Sequence, residues 1–117
     1  YLDAAERCLR AAWPAIAEYP HGHVSLLNAL EEYLQPPEII IIRGAGEEVT
    51  EWRDSLAKIY APTRLVFAIS GPDSGLPGAL AERRQIEEKT VAYRCKGHHC
   101  GLPATSWKSL ASQIRGI

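Results

Sequence analysis

Apolar side chains recur at Leu2, Ala5, Leu9, Ala12 or Trp13, and Ile16. This spacing of three and four predicts a helix over residues 2–19 with one inward face. Pro14 lacks an amide proton, so a kink or a restart is expected there. Tyr19-Pro20-His21-Gly22 reads as a turn. A second helix is expected from about His23 to Leu34, with Val24, Leu27, Ala29, Leu30 and Leu34 on its inner face. Pro36-Pro37 stops it. Two helices joined by a short turn predict an antiparallel pair.

The pattern changes at Glu38. Ile39 to Ile42 is short, continuous and β-branched, which suits a strand covered on both faces. Arg43-Gly44-Ala45-Gly46 then turns the chain. Val49, Trp52, Leu56 and Ile59 or Tyr60 mark a helix of about four turns, with Glu47 and Glu48 at its start, where the helix dipole favours carboxylates. Leu65 to Ile69 is a second strand, so the segment predicts a βαβ unit. Residues 70–89 are turn-rich, with a thin helical signal from Leu80 to Ile86. Thr90 to Cys95 alternates as a third strand. Thr105 or Ser106 caps a last helix with Trp107, Leu110, Ala111 and Ile114 inward, and Gly116 closes it.

The expected fold class is α/β. A helical pair over residues 1–35 precedes a small α/β domain over residues 36–117, built on a mainly parallel three-stranded sheet. Composition narrows the function classes. Hydrophobic residues make up 46% of the 117, too many for a disordered chain. Thirteen basic and fourteen acidic residues leave a net charge of -1, which argues against a nucleic-acid or membrane-surface binder. The longest apolar run is four residues, far short of a membrane span. Three cysteines cannot form a fully paired secreted framework, so a cytoplasmic origin is expected. The chain lacks methionine and opens directly in helical sequence, which reads as the C-terminal piece of a longer protein.

The densest chemistry is Cys95-Lys96-Gly97-His98-His99-Cys100. Three readings stay open: two thiols at a strand end, a redox pair or disulfide, and a metal site. A redox pair more often has C-x-x-C spacing at a helix N-terminus, and here the spacing is C-x4-C. Tetrahedral zinc needs a second ligand pair elsewhere, and adjacent histidines do not easily turn to one ion. Cys95 and Cys100 are therefore the redox candidates. No metal is called for, and His98 and His99 are weak ligand candidates at most. Gly44-Ala45-Gly46 follows a strand and opens a helix, as a phosphate loop would. It lacks the third glycine, and Glu47 and Glu48 put negative charge where a pyrophosphate would dock. A tight turn is the ordinary reading, and no cofactor is expected. His21 and His23 read as exposed turn residues, and Cys8 as a small packed one.

Three stretches resemble one known family. Pro36 to Gly44 resembles a GPPxEVVIVG segment, and Tyr60 to Val66 resembles xYxPNRVL. Thr90 to Cys95, with Cys100-Gly101-Leu102-Pro103-Ala104-Thr105 and Leu110, resembles xTAYVCxxxxCxxPxTxxxxL. In this order they resemble the C-terminal end of the spermatogenesis-associated, thioredoxin-domain-containing family. Thr63 departs from the pattern's asparagine, and Arg43 replaces a small apolar residue. Members join a thioredoxin-like head to an α/α toroid similar to N-acylglucosamine 2-epimerases and six-hairpin glycosidases, followed by a small α/β tail. The resemblance implies that residues 1–35 end the toroid and that the rest is the tail. It implies an accessory or docking domain without a complete active site, in a parent of loosely defined, carbohydrate-related activity. Whether any enzymatic step occurs here stays open. The expected partners are the rest of the parent chain and a second copy through the N-terminal helices. The alternative is a redox or metal-binding module on Cys95 and Cys100, whose pair falls on the family's tail pattern.

Overall fold

The computed structural model describes residues 1–71 and 75–115. They form two compact units, Tyr1–Pro36 and Pro37 onward. Unit one holds α1 (Leu2–Glu18), a 3-10 turn (Pro20–Gly22) and α2 (Val24–Leu34). α1 is one element with Pro14 inside it, so no restart occurs. A single missing amide donor is tolerated within a 17-residue helix, whose other turns keep their hydrogen bonds. Ile16 is buried, while Leu9 and Ala12 are half-buried. The inner face of α2 is set differently from the expectation. Leu26, Leu27 and Leu30 are half-buried, whereas Val24, Ala29 and Leu34 are exposed. At about 100 degrees per residue Ala29 turns away from the side shared by Leu27 and Leu30, while Val24 and Leu34 share that side but are the two end residues of the helix.

Unit two is α/β. Its strands are β1 (Glu38–Gly44), β2 (Arg64–Ser70), β3 (Val91–Lys96) and β4 (His99–Cys100), and its helices α3 (Glu47–Ala57), α4 (Gly78–Glu82) and α5 (Trp107–Arg115). The strand order is β2-β1-β3-β4. β1 and β2 run parallel, joined through α3, while β3 is antiparallel to β1 and β4 to β3. The sheet is therefore four-stranded and mixed, which corrects the mainly parallel three-stranded expectation. β4 is only two residues long and carries no periodic signal. Strand direction depends on where the residue 71–90 crossover returns, which periodicity does not record.

The run Ile40-Ile41-Ile42 is buried because β1 lies between two strands and both of its faces are covered. On one face Ile40, Ile42 and Ala92 meet Val49, Trp52 and Leu56 of α3 and Leu110 and Ile114 of α5. Trp52 and Trp107 stack obliquely there, with ring centroids 6.3 Å apart. Pairing puts Leu65 and Phe67 of β2, Ile39 and Ile41 of β1, and Tyr93 and Cys95 of β3 on the other face. α3 ends at Ala57, one turn short of expectation, leaving Ile59 and Tyr60 exposed. Ser106 Oγ accepts from the Ser109 amide at 3.2 Å and caps α5. Gly116, expected to close that helix, lies outside the described residues, as do Pro72, Asp73 and Ser74 of the turn-rich stretch.

Candidate functional site

The β3–β4 hairpin brings the two candidate thiols together. Its turn is Gly97-His98, with Gly97 at φ 59. A glycine with positive φ at the first central position is the signature of a type II′ hairpin turn. Lys96 pairs with His99 and Cys95 with Cys100. The Gly101 amide donates to the Arg94 carbonyl at 2.9 Å. Cys95 and Cys100 thus occupy the position between hydrogen-bonded pairs, where opposing side chains come closest. Their Cα atoms are 4.0 Å apart, and the sulfurs form a disulfide.

The two ends of this bridge differ. Cys95 is 7% exposed, whereas Cys100 lies on the surface. Arg83, just after α4, donates from its Nη2 to Cys100 Sγ at 3.1 Å. Its guanidinium carbon sits 5.9 Å from the centre of the Tyr93 ring. Tyr93 is anchored in turn, its hydroxyl donating to the Arg84 carbonyl at 2.7 Å. Among the described residues no carboxylate pairs with Arg83, and its buried Nε has no hydrogen-bond partner. The arginine is therefore directed at sulfur and held over an aromatic face. Sequence reading missed it because it lies 17 residues before Cys100, in the stretch of weakest pattern.

His98 and His99 are exposed on the hairpin, beside Lys96. Among the described residues no group of three or more His, Cys, Asp or Glu side chains could hold a metal ion. The bridged sulfurs offer no thiolate to a metal in this state. Elsewhere, His23 Nδ1 lies 2.8 Å from the Tyr19 carbonyl oxygen, and His21 meets the Tyr19 ring edge-on at 6.4 Å. The two histidines thus brace the turn between the helices. Cys8 is exposed, which corrects its reading as a packed residue. It stands on the outer side of α1 because the helix buries so narrow a stripe.

The Gly44–Gly46 turn is explained by packing. A Cβ on Gly44 would stand 2.8 Å from Thr90 Oγ1 and 2.9 Å from Val49 Cγ2. Gly46 adopts φ 78 and ψ −159, a region open essentially to glycine alone, and begins α3. The carboxylates of Glu47 and Glu48 follow at once.

A second charged cluster, also missed in the sequence, ties the sheet together. Glu38 accepts from Arg64 Nε at 2.5 Å and from Arg94 Nε. Arg94 also donates from Nη1 to the Gln113 carbonyl at 2.8 Å, near the C-terminus of α5. Burial works to raise the pKa of the Glu38 carboxyl, and the hydrogen bonds from Arg94 and Arg64 outweigh it. The group is held below the ordinary carboxylate range. Arg43, from the turn-side end of β1, is fully buried, and its Nη2 lies 3.4 Å from the Gly71 carbonyl oxygen.

Comparison with family models, curated proteins and solved structures returns no match for the chain. Among the described residues no helix is long and apolar enough to cross a membrane.

Proposed function

We propose that the chain is a non-catalytic accessory domain that docks onto the remainder of a larger protein, of the thioredoxin-like and α/α-toroid kind that its three motifs resemble. The observation that carries this reading is the open side of β2. This edge strand keeps Leu65 48% and Phe67 41% exposed, on the sheet face opposite α3 and α5. Covering both side chains would contribute roughly 2–3 kcal/mol. On the α3 side of the same strand, an open groove of about 340 Å3 is lined by Leu56, Ile59, Tyr60 and Val66 together with Arg53 and Arg64. The partner is the rest of the parent chain, in the cytoplasm. A second copy is a further candidate through the exposed Leu2, Trp13, Val24 and Leu34 of the helical pair. The test is co-expression of the chain with the upstream portion of that parent, followed by affinity capture through the chain. Leu65→Ser with Phe67→Ser is expected to reduce capture at least tenfold, and undiminished capture would overturn the reading.

The Cys95–Cys100 bridge favours a second reading, a redox module acting by thiol–disulfide exchange. A cytoplasmic disulfide is more often transient or redox-sensing than structural. Incubating the chain across ratios of reduced to oxidised glutathione tests this. Interconversion of bridged and dithiol forms within the range supports it, and a bridge indifferent to the ratio opposes it.

A further inference from the structure

The bridge has a polarity: one sulfur is accessible and faces a cation, and the other is enclosed. We propose that Cys100 is the exchange sulfur and Cys95 the resolving sulfur, with Arg83 as a positioning residue that stabilises the Cys100 thiolate, and that the reaction partner is the disulfide of an anionic low-molecular-weight thiol. This rests on the thiol–disulfide reading above and adds direction and partner to it.

Three observations carry the assignment. Exchange needs in-line access to the attacked sulfur, and only Cys100 lies on the surface. A disulfide sulfur is a weak acceptor, whereas a thiolate is a strong one. The Arg83 donor at 3.1 Å therefore gains most in the dithiol form, where Cys100 carries the thiolate charge. No carboxylate among the described residues competes for that guanidinium, and Tyr93 fixes its place. The other charged and titratable groups on the hairpin are Arg94, which is paired with Glu38, and Lys96, His98 and His99, and Glu82 and Arg84 flank Arg83 in the chain. Cations predominate in this set. It suits a thiol that carries carboxylates, drawn by the same field that stabilises the thiolate.

The chemistry balances. In the dithiol form, the Cys100 thiolate attacks one sulfur of the external disulfide, RSSR, and expels RS−. This leaves Cys100 joined to RS. Cys95 then loses its proton, attacks Cys100 Sγ and expels the second RS−. The two cysteine protons end on two RSH molecules, and two electrons pass from the cysteines to RSSR. Reduction by excess RSH is the reverse, beginning with attack on Cys100.

The test uses the full 117-residue chain with Cys8→Ser, so that only the two thiols react, and oxidised glutathione as the probe. With Cys95→Ala, which leaves Cys100, mixed-disulfide formation at pH 7 is expected to be at least tenfold faster than with Cys100→Ala. Arg83→Gln is expected to slow the Cys100 reaction about fivefold and move the midpoint of its pH–rate profile upward. Arg83→Lys should restore most of both. Equal rates, or a faster Cys95, would overturn the sulfur assignment, and an unmoved midpoint would overturn the role of Arg83. With both thiols intact and reduced, a brief iodoacetamide pulse with peptide mapping should label Cys100 first. Labelling of Cys95 first would reject the proposal even if the alanine variants do not fold. Failure of the underlying exchange reading shows separately, as a bridge that glutathione never opens in the Cys8→Ser chain.

Discussion

Glu38 binds two arginines from two neighbouring strands, and its side chain is only 13% exposed. Glu38→Gln leaves both guanidinium groups without their anion, which should cost about 2 kcal/mol in urea unfolding. Because its folded pKa is lowered, the Glu38 contribution is fully present above the unfolded value, about pH 4.3. It is lost as pH falls from there through the folded value. Wild-type stability should therefore drop more steeply below about pH 4 than that of Glu38→Gln, and parallel profiles would refute this. Gly46→Ala should cost about 1–3 kcal/mol, because alanine has no comfortable φ 78, ψ −159 conformation. Calorimetric titration of the intact chain with a dinucleotide should show no micromolar binding, and such binding would revive the phosphate-loop reading. At this scale Cys95 and Cys100 were legible from type and spacing. Arg83 and Glu38 were not, because their partners come from distant strands and a linking segment, and no local pattern encodes a tertiary ion pair.

At the scale of elements, the β3–β4 hairpin is closed at one end by its turn and across its width by the bridge. The cysteines are five residues apart, so the bridge constrains a short loop and should add about 2 kcal/mol by the loop-entropy rule. Reduction is expected to lower the unfolding free energy by about that amount and to leave β1, β2 and α3 folded. Circular dichroism of the reduced chain should keep its helical signal, while amide exchange accelerates at His99 and Cys100. Global unfolding on reduction would contradict this. α3, α5, β1 and β3 were readable because each buries a periodic or continuous apolar set, such as Val49, Trp52 and Leu56 of α3. The thin signal over Leu80 to Ile86 misplaced α4, which spans Gly78–Glu82, while Ile86 bridges to Lys89. β4 buries nothing, and the Gly97-His98 turn was its one available sign. The reach of α3 was overread because Ile59 and Tyr60 continue its apolar period after the helix has ended.

At the scale of the molecule, Tyr1–Pro36 and Pro37–Ile117 are separate compact units, and the Pro36-Pro37 pair marks the division in the sequence. What covers β2 in a larger assembly was not legible, because a strand that is apolar on both faces looks alike whether its cover is present or supplied by a partner. The docking proposal makes Arg64–Ser70 the contact strand, since this edge holds the exposed Leu65 and Phe67. The most direct test is hydrogen–deuterium exchange at the amides of residues 64–70, in the chain alone and in the chain joined to its proposed upstream parent. The account predicts at least tenfold slower exchange across this strand in the joined protein, with β3 unchanged. Equal exchange in the two forms would contradict it.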